Sequence, residues 1–268
     1  MSSPVGSPSG KRADRLVALL AALSDDQETP LSDLASRLGA SAATIRRDVA
    51  ALAEQGLLIR THGGAKAAGP LGELPVHLRD QRHRRAKQAI ARYVVGTIPS
   101  GRQAIALTGG TTTTEVLRAL HQRHDLTIIT NSVGLALEAA NQGQSRVLIA
   151  GGVLRPNSLE LVGSLTESTF NHINVGTAIV GSDGVSIIGG LTTHDDVEAH
   201  TNHTMIERAQ RVIAVADGSK VGRVTMAKLA DLREIDLLVT DNSADPDEIA
   251  RIRHAGVSVV IVQVTGED

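Results

Sequence analysis

Residues 30–65 read PLSDLASRLGASAATIRRDVAALAEQGLLIRTHGGA, and the reading of this stretch decides the first half of the fold. Leu31, Leu34, Ala35 and Leu38 recur at three- and four-residue steps, so they share one face of a short helix. Gly39 follows where a helix C-cap needs positive φ. Ser41 is placed to N-cap a second helix, in which Ile45, Val49 and Leu52 fall on one face. Thr44, Arg46, Arg47 and Asp48 then point elsewhere. After Gly56, residues 57–60 are strand-like, and Thr61-His62-Gly63-Gly64 supplies turn chemistry at the strand's end. Two helices, a tight turn and a strand with a glycine tip are the layout of a winged helix-turn-helix.

That layout carries a chemistry. A helix buried only on its Ile45 face leaves Ala43, Thr44 and Arg47 free to enter a major groove. There arginine forks onto guanine O6 and N7, and a threonine methyl meets a thymine methyl. Arg46 is assigned to phosphate, which positions without reading sequence. Ser41 at the cap, Arg60 on the strand, and His62 and Gly63 at the tip complete the candidate DNA-binding set, with double-stranded operator DNA as the expected partner. The plainer alternative is a helical hairpin with solvated arginines. The string LASRLGASAATIRRDVAALAEQGLLIRTHGGA, with its TIRRD and RTHGGA segments, resembles the N-terminal domain of the DeoR (GlpR-like) bacterial transcriptional regulators. The resemblance implies DNA binding.

A chain of 268 residues suits two domains with ordinary cores, and 41% hydrophobic with 21% charged residues points to a globular chain. Tyr93 and Phe170 are the only aromatics, so the cores must be aliphatic and stacking on single-stranded nucleic acid is disfavoured. The absence of cysteine rules out disulfide and thiolate chemistry and fits a reducing cytoplasm, the expected location. No apolar run reaches membrane-spanning length, and MSSPVGSPSG, residues 1–10, reads as a disordered tail rather than a signal peptide. The net charge of −2 sits oddly with DNA, but charge is uneven: between Arg60 and Arg92 lie Lys66, Arg79, Arg82, Arg84, Arg85 and Lys87 against Glu73 and Asp80. The run Arg82-His83-Arg84-Arg85 is open to three readings: DNA backbone, a neighbouring subunit, or a solvated helix face.

The expected organisation is a helix-turn-helix domain over residues 11–65, opened by a helix at 12–23, a Gly- and Pro-bearing linker over 66–80, and an effector domain over 81–268. A helix from about 81 to 95 opens the second domain. Apolar, non-alternating runs at 104–107, 126–129, 147–150, 177–180, 212–216, 237–239 and 257–262 read as strands buried on both faces. Helical stretches at 113–121, 133–141, 198–209 and 246–255 lie among them. This is βαβ grammar, and the fold class expected is α/β: a winged helix-turn-helix followed by a doubly wound, mainly parallel sheet.

In such sheets ligands bind beyond the carboxyl ends of the strands. After residues 104–107 comes Thr108-Gly109-Gly110-Thr111-Thr112-Thr113-Thr114, opening a helix: a phosphate cradle of backbone amides and hydroxyls without a lysine. It is neither a Walker motif nor a dinucleotide fingerprint, and a strand–turn–helix with threonine caps would look similar. Other strand ends add Asn131 and Ser132, Gly152, Asp183 and Gly184, and Lys220. Such a lining suits a phosphorylated polyhydroxy ligand, although any one of these can be a plain turn residue. His194, Asp195, Asp196, His200 and His203 do not have metal-ligand spacing, and neither metal nor cofactor is expected.

The segments LTGGTTTTEV, TNS, LIAGGVLR, GSDGV, the Glu198 segment and ADGSKVG resemble the DeoR-type sensor domain in the same order. The resemblance implies a sheet similar to that of ribose-5-phosphate isomerase and a domain that binds a phosphorylated sugar to alter operator affinity. It implies Thr111, Thr112 and Thr113 as phosphate ligands and Asn131, Asp183, Glu198 and Lys220 as polar lining. Two departures stand out: Asn202-His203 where the family often has Lys-Arg, and Gly109-Gly110 where many relatives carry Asp-x-Gly. The function implied is a ligand-responsive regulator, commonly a repressor of carbohydrate metabolism. The alternative is a sugar-phosphate isomerase with an accessory helix-turn-helix, Asp183 or Glu198 acting as base. One recognition helix buries too little for tight operator binding, so a homodimer or homotetramer is expected.

Overall fold

The computed structural model describes residues 10–23, 27–68, 73–80, 82–143 and 146–265. The expected tail lies, but for Gly10, outside the described residues. The chain divides after Arg82 into two compact units.

The first unit runs α1 (Gly10–Ala21), β1 (Thr29–Pro30), α2 (Leu31–Arg37), α3 (Ala42–Glu54), β2 (Leu58–Arg60), β3 (Gly64–Ala67) and α4 (Val76–Arg79). Gly39 takes φ +58 beyond α2, the left-handed conformation that a side chain resists. The Ser41 side chain accepts the Thr44 N–H at 3.2 Å and so caps α3. The wing is an antiparallel β2–β3 pair, with β1 along the far side of β3. Leu34, Ile45, Val49 and Leu52 are fully buried, packed with Leu16, Leu19 and Leu20 of α1. The opening helix is Gly10–Ala21, two residues earlier at each end than its apolar pattern suggested.

Two expectations are corrected here. Asp48 does not share the outward face of α3 with the arginines. It is 2% exposed and takes Arg15 Nε at 2.7 Å and Arg12 Nε at 3.3 Å, so it locks α3 to α1. The stretch 66–80 is also not simply linker: β3 runs to Ala67, and Leu78 of α4 is buried in the core of the first unit. Pro75 stands as the residue before α4, with ψ 143, and the burial of Leu78 in the core overrides the Pro-and-Gly composition.

The second unit opens with α5 (Arg84–Thr97) and continues β4 (Gln103–Leu107), α6 (Thr111–Ala119), β5 (Leu126–Thr130), α7 (Val133–Asn141) and β6 (Arg146–Ile149). A hairpin of β7 (Val153–Arg155) and β8 (Glu160–Val162) follows, then α8 (Ser164–Asn171), β9 (Thr177–Gly181), β10 (Gly184–Ser186) and β11 (Gly190–Thr193). The chain ends with α9 (Asp196–Glu207), β12 (Val212–Val215), β13 (Ala227–Ala230), β14 (Leu237–Asp241), α10 (Pro246–His254) and β15 (Ser258–Val262).

Seven strands form one wholly parallel sheet in the order β15-β14-β12-β9-β4-β5-β6. Its strands are apolar throughout because both faces are covered. Ala178 and Val180 of β9 pack to one side with α9 and α10, while Ile179 packs to the other with α5, α6 and α7. Phe170 of α8, the one buried aromatic, fills a smaller cluster with Ile129 and Met205. The hairpin β7–β8 and an antiparallel sheet β10-β11-β13 were not anticipated from the sequence; their strands are three or four residues long, too short for a periodic signal.

Asp48→Ala would leave Arg12 and Arg15 without their buried acceptor. The expected cost is about 1–3 kcal/mol in the urea unfolding of the first unit in the full chain. An unchanged midpoint would show that the α1–α3 clamp adds nothing.

Candidate DNA-reading face and effector site

On α3 the buried stripe leaves Ala43, Arg46 and Arg47 exposed and Thr44 half-buried. The Ser41 and Thr44 hydroxyls lie 2.9 Å apart, so both are engaged at the cap. Arg60 on β2 and His62 and Gly63 at the wing tip are exposed too. The turn is held by Thr61, whose hydroxyl donates to Glu28 at 2.6 Å and accepts the Gly64 N–H at 3.0 Å. Among the described residues Arg46, Arg47 and Arg60 enter no ion pair, whereas Arg12 and Arg15 are bound by Asp48 and Arg79 by Glu73. Further along, Arg84 faces Glu115 at 3.7 Å within the second unit, which favours a local structural role for it.

In the second unit the chain reverses its winding between β4 and β9, which lie side by side: β5 and β6 extend the sheet one way, β12, β14 and β15 the other. The crevice of a doubly wound sheet opens at such a switch point. The Thr108 hydroxyl accepts the Gly181 N–H at 3.0 Å there, tying the two strand ends together.

Around this point two hydrogen-bonded chains meet. In the first, Gly109 N–H donates to Glu160, Asn202 Nδ2 donates to the other Glu160 oxygen at 3.1 Å, and Asn131 Nδ2 donates to Asn202 Oδ1 at 3.0 Å. Asn131 Oδ1 is buried without a partner among the described residues. In the second, Thr193 Oγ1 donates to Glu198 at 2.8 Å and lies 3.3 Å from Asp183. Arg155 Nη1 meets Glu198 at 3.0 Å, and Lys220 Nζ meets Asp183 at 3.4 Å. Gly109 must be glycine: a Cβ there would stand 2.6 Å from Glu160 Cγ.

The remaining expected lining residues take different places. Thr113 and Thr114 turn their hydroxyls back onto Gly110 O, at 2.9 and 2.7 Å. Thr111 and Thr112 keep hydroxyls with no hydrogen bond among the described residues. Ser132 caps α7 by accepting the Leu135 N–H at 3.3 Å. Gly152 and Gly184 allow close backbone passage, the former against Val162 O and the latter against Arg223 O, and bring no polar side chain. Asp195 caps α9 by accepting the Glu198 N–H at 2.9 Å.

Glu160, Arg155 and Thr193 were missed in the sequence, and Asn202 was noticed only as a departure. Glu160 carries one weak signal, a lone acid between Leu159 and Leu161. Burial pushes its carboxyl well above the ordinary carboxylate range, and the negative charge of Glu198 pushes further; the Asn202 and Gly109 donors pull it part-way back.

The family described as the DeoR-like helix-turn-helix domain matches residues 15–70, and that described as the DeoR C-terminal sensor domain matches residues 82–242. The chain belongs to the DeoR family of transcriptional regulators. It is 36% identical to the "HTH-type transcriptional regulator GlpR" of Haloferax volcanii, over 92% of this chain and 97% of that one. It is 32% identical to the "Glycerol-3-phosphate regulon repressor" of Escherichia coli K12, over 78% and 82%. Among solved structures, a ribose 5-phosphate isomerase A from Methanocaldococcus jannaschii is similar at 17% identity and a TM-score of 0.38, covering 50% of this chain and 52% of that one. A DeoR-family regulator binds operator DNA, and the isomerase reading of the sequence is not retained. No helix among the described residues is long and apolar enough to cross a membrane.

The sign of the Glu160 shift gives a stability test. Folding raises this carboxyl's pKa, so the unfolded chain releases a proton from about pH 4.5 upward that the native chain retains. That group's contribution therefore disfavours folding increasingly as pH climbs through the window above 4.5. Glu160→Gln has no proton to lose. Its urea midpoint should gain on that of the wild type between pH 5 and pH 8, and a gap that stays constant would contradict the raised pKa.

Proposed function

We propose that this chain is a repressor that reads its operator through α3 and the wing, and whose grip is altered by a phosphorylated sugar or polyol at the switch point. The observation that carries the first half is the sorting on α3: Ile45, Val49 and Leu52 fully buried, Arg46 and Arg47 exposed and unpaired. Arg47, Thr44 and Ala43 face base edges in this reading, Arg46 and Arg60 hold phosphate, and Ser41, His62 and Gly63 border the contact. Two half-sites are needed to reach useful affinity, so the working form is a homodimer or homotetramer.

For the second half, the amides at the start of α6 have no intrahelical partners and carry the positive end of the helix dipole, as an anion requires. The free hydroxyls of Thr111 and Thr112 add donors. Asn131 Oδ1, Asp183 and Glu198 are acceptors for sugar hydroxyls, and Lys220 lies at the rim. The relative named for a glycerol-3-phosphate regulon is consistent with a small phosphorylated polyol. Differential affinity of the ligand for two arrangements of the DNA-reading heads is what such a switch needs, about 1–3 kcal/mol.

Arg47→Ala should weaken operator binding by about 1–3 kcal/mol and relax preference at one base pair, read by competition between operator variants. A preference among operator variants that is the same before and after the change would show that another residue reads that base. Thr112→Val should leave operator binding unchanged while removing the response to sugar phosphates in the same gel-shift assay. A retained response would move the phosphate away from α6.

A further inference from the structure

Glu160 stands at the head of the α6 turn, yet nothing in the site balances it. It is 1% exposed and has no ion pair among the described residues. The two cations nearby are committed elsewhere: Arg155, its cross-strand partner on β7, to Glu198 and Asp195, and Lys220 to Asp183. From α9 it faces the Glu198 carboxyl, which is within hydrogen-bond reach and shares a proton with it in the free site, and the neutral amide of Asn202; from α8 Glu167 is turned onto the Thr201 hydroxyl. The loop of residues 108–110 and the Asn131 side chain bring no charge. A carboxylate so placed would sit a few ångströms from any anion received by the α6 amides and would repel it. A neutral carboxyl would instead donate a hydrogen bond to that anion. Asn131 Oδ1, one amide further along the same chain and left without a donor, also marks this place as one completed by a ligand.

We infer that Glu160 is a ligand-binding residue of the effector site and acts there as a protonated, neutral hydrogen-bond donor, so that a phosphorylated ligand binds together with a proton. The inference rests on the reading of the α6 turn as an anion site. The step balances simply: where Glu160 is ionised in the free protein, one proton passes from solvent to its carboxylate as the phosphate enters, and no bond in the ligand changes. Burial and the neighbouring Glu198 charge raise the carboxyl's pKa in the free protein and so lower the cost of taking up that proton. The consequence is a site in which the phosphate is met by α6 amides and a neutral carboxyl, while Arg155 and Lys220 stay paired with acids, and one whose affinity declines as the medium becomes alkaline.

The experiment measures the dissociation constants of inorganic phosphate and of three-, five- and six-carbon polyol monophosphates on the full chain between pH 7 and pH 9. In this range the second ionisation of the phosphate esters, with pKa about 6, is nearly complete, so the pH profiles are read on the esters and inorganic phosphate only tests for binding. Wild-type affinity should fall toward about tenfold per pH unit, while Glu160→Gln, which keeps the shape and a donor, should bind with a nearly flat profile. Calorimetry of the wild type at pH 8 in two buffers of different ionisation enthalpy provides a count that needs no variant, and should show proton uptake on binding. Parallel profiles for the two proteins, or binding with no uptake, would overturn the role of Glu160 while leaving the anion site in place. If none of the probes binds the wild type, the anion-site reading itself fails and the inference with it.

Discussion

A wholly parallel sheet sends all seven strands out through one edge, and in this chain that constraint organises the second unit. The strands return to their starts through covering segments, helical except between β12 and β14, where β13 makes the passage, so polar turns gather at the carboxyl ends while both faces are sealed by aliphatic side chains. The winding reverses between β4 and β9, and there the covering connections diverge and open a crevice. The Thr108 hydroxyl closes this seam by accepting the Gly181 N–H. Everything polar in the site is then hung from elements that the sheet fixes: Gly109 after β4, Asn131 after β5, Asp183 after β9, and Glu198 and Asn202 along α9.

The sheet was legible because its strands are continuous Val-, Ile- and Leu-rich runs. All seven runs became strands of the parallel sheet, and 133–141 bounds α7 to the residue. The signal vanished where elements were short. The hairpin β7–β8 has three residues per strand, too few for a period, and it carries Glu160. Glu160 therefore stayed hidden: its role follows from a contact with Gly109 fifty-one positions away, which no local pattern encodes. Asp48 misled for the opposite reason. Helical phase alone places it off the Ile45 stripe, but α1 supplies two arginines that make its burial favourable.

Asn202 shows how a departure from a family pattern can be read physically. In place of a cation, an amide both donates and accepts, linking Asn131 to Glu160 with its two ends. A lysine there would have ionised Glu160 by pairing with it. With an amide, the carboxyl experiences burial, two neutral donors, and both the repulsion of Glu198 and a hydrogen bond shared with it, and the protonated state gains. The same substitution also explains why the site tolerates Glu198 so close: Arg155 serves Glu198 and Asp195 together, and a second ionised acid beside them would be uncompensated.

The net charge of −2 acquires a different meaning once the pairs are assigned. What a phosphate backbone feels is the local field of unpaired cations within roughly a Debye length, about 8–10 Å in ordinary salt, not the sum over the chain. In the first unit Arg12 and Arg15 share Asp48 and Arg79 pairs with Glu73, whereas Arg46, Arg47 and Arg60, on α3 and the wing, enter no ion pair among the described residues. So the acids of this unit do more than hold helices together. By pairing with Arg12, Arg15 and Arg79 they weaken the attraction that those cations would exert away from α3 and the wing. Specificity then rests on where charge has been left unpaired rather than on how much of it the chain contains.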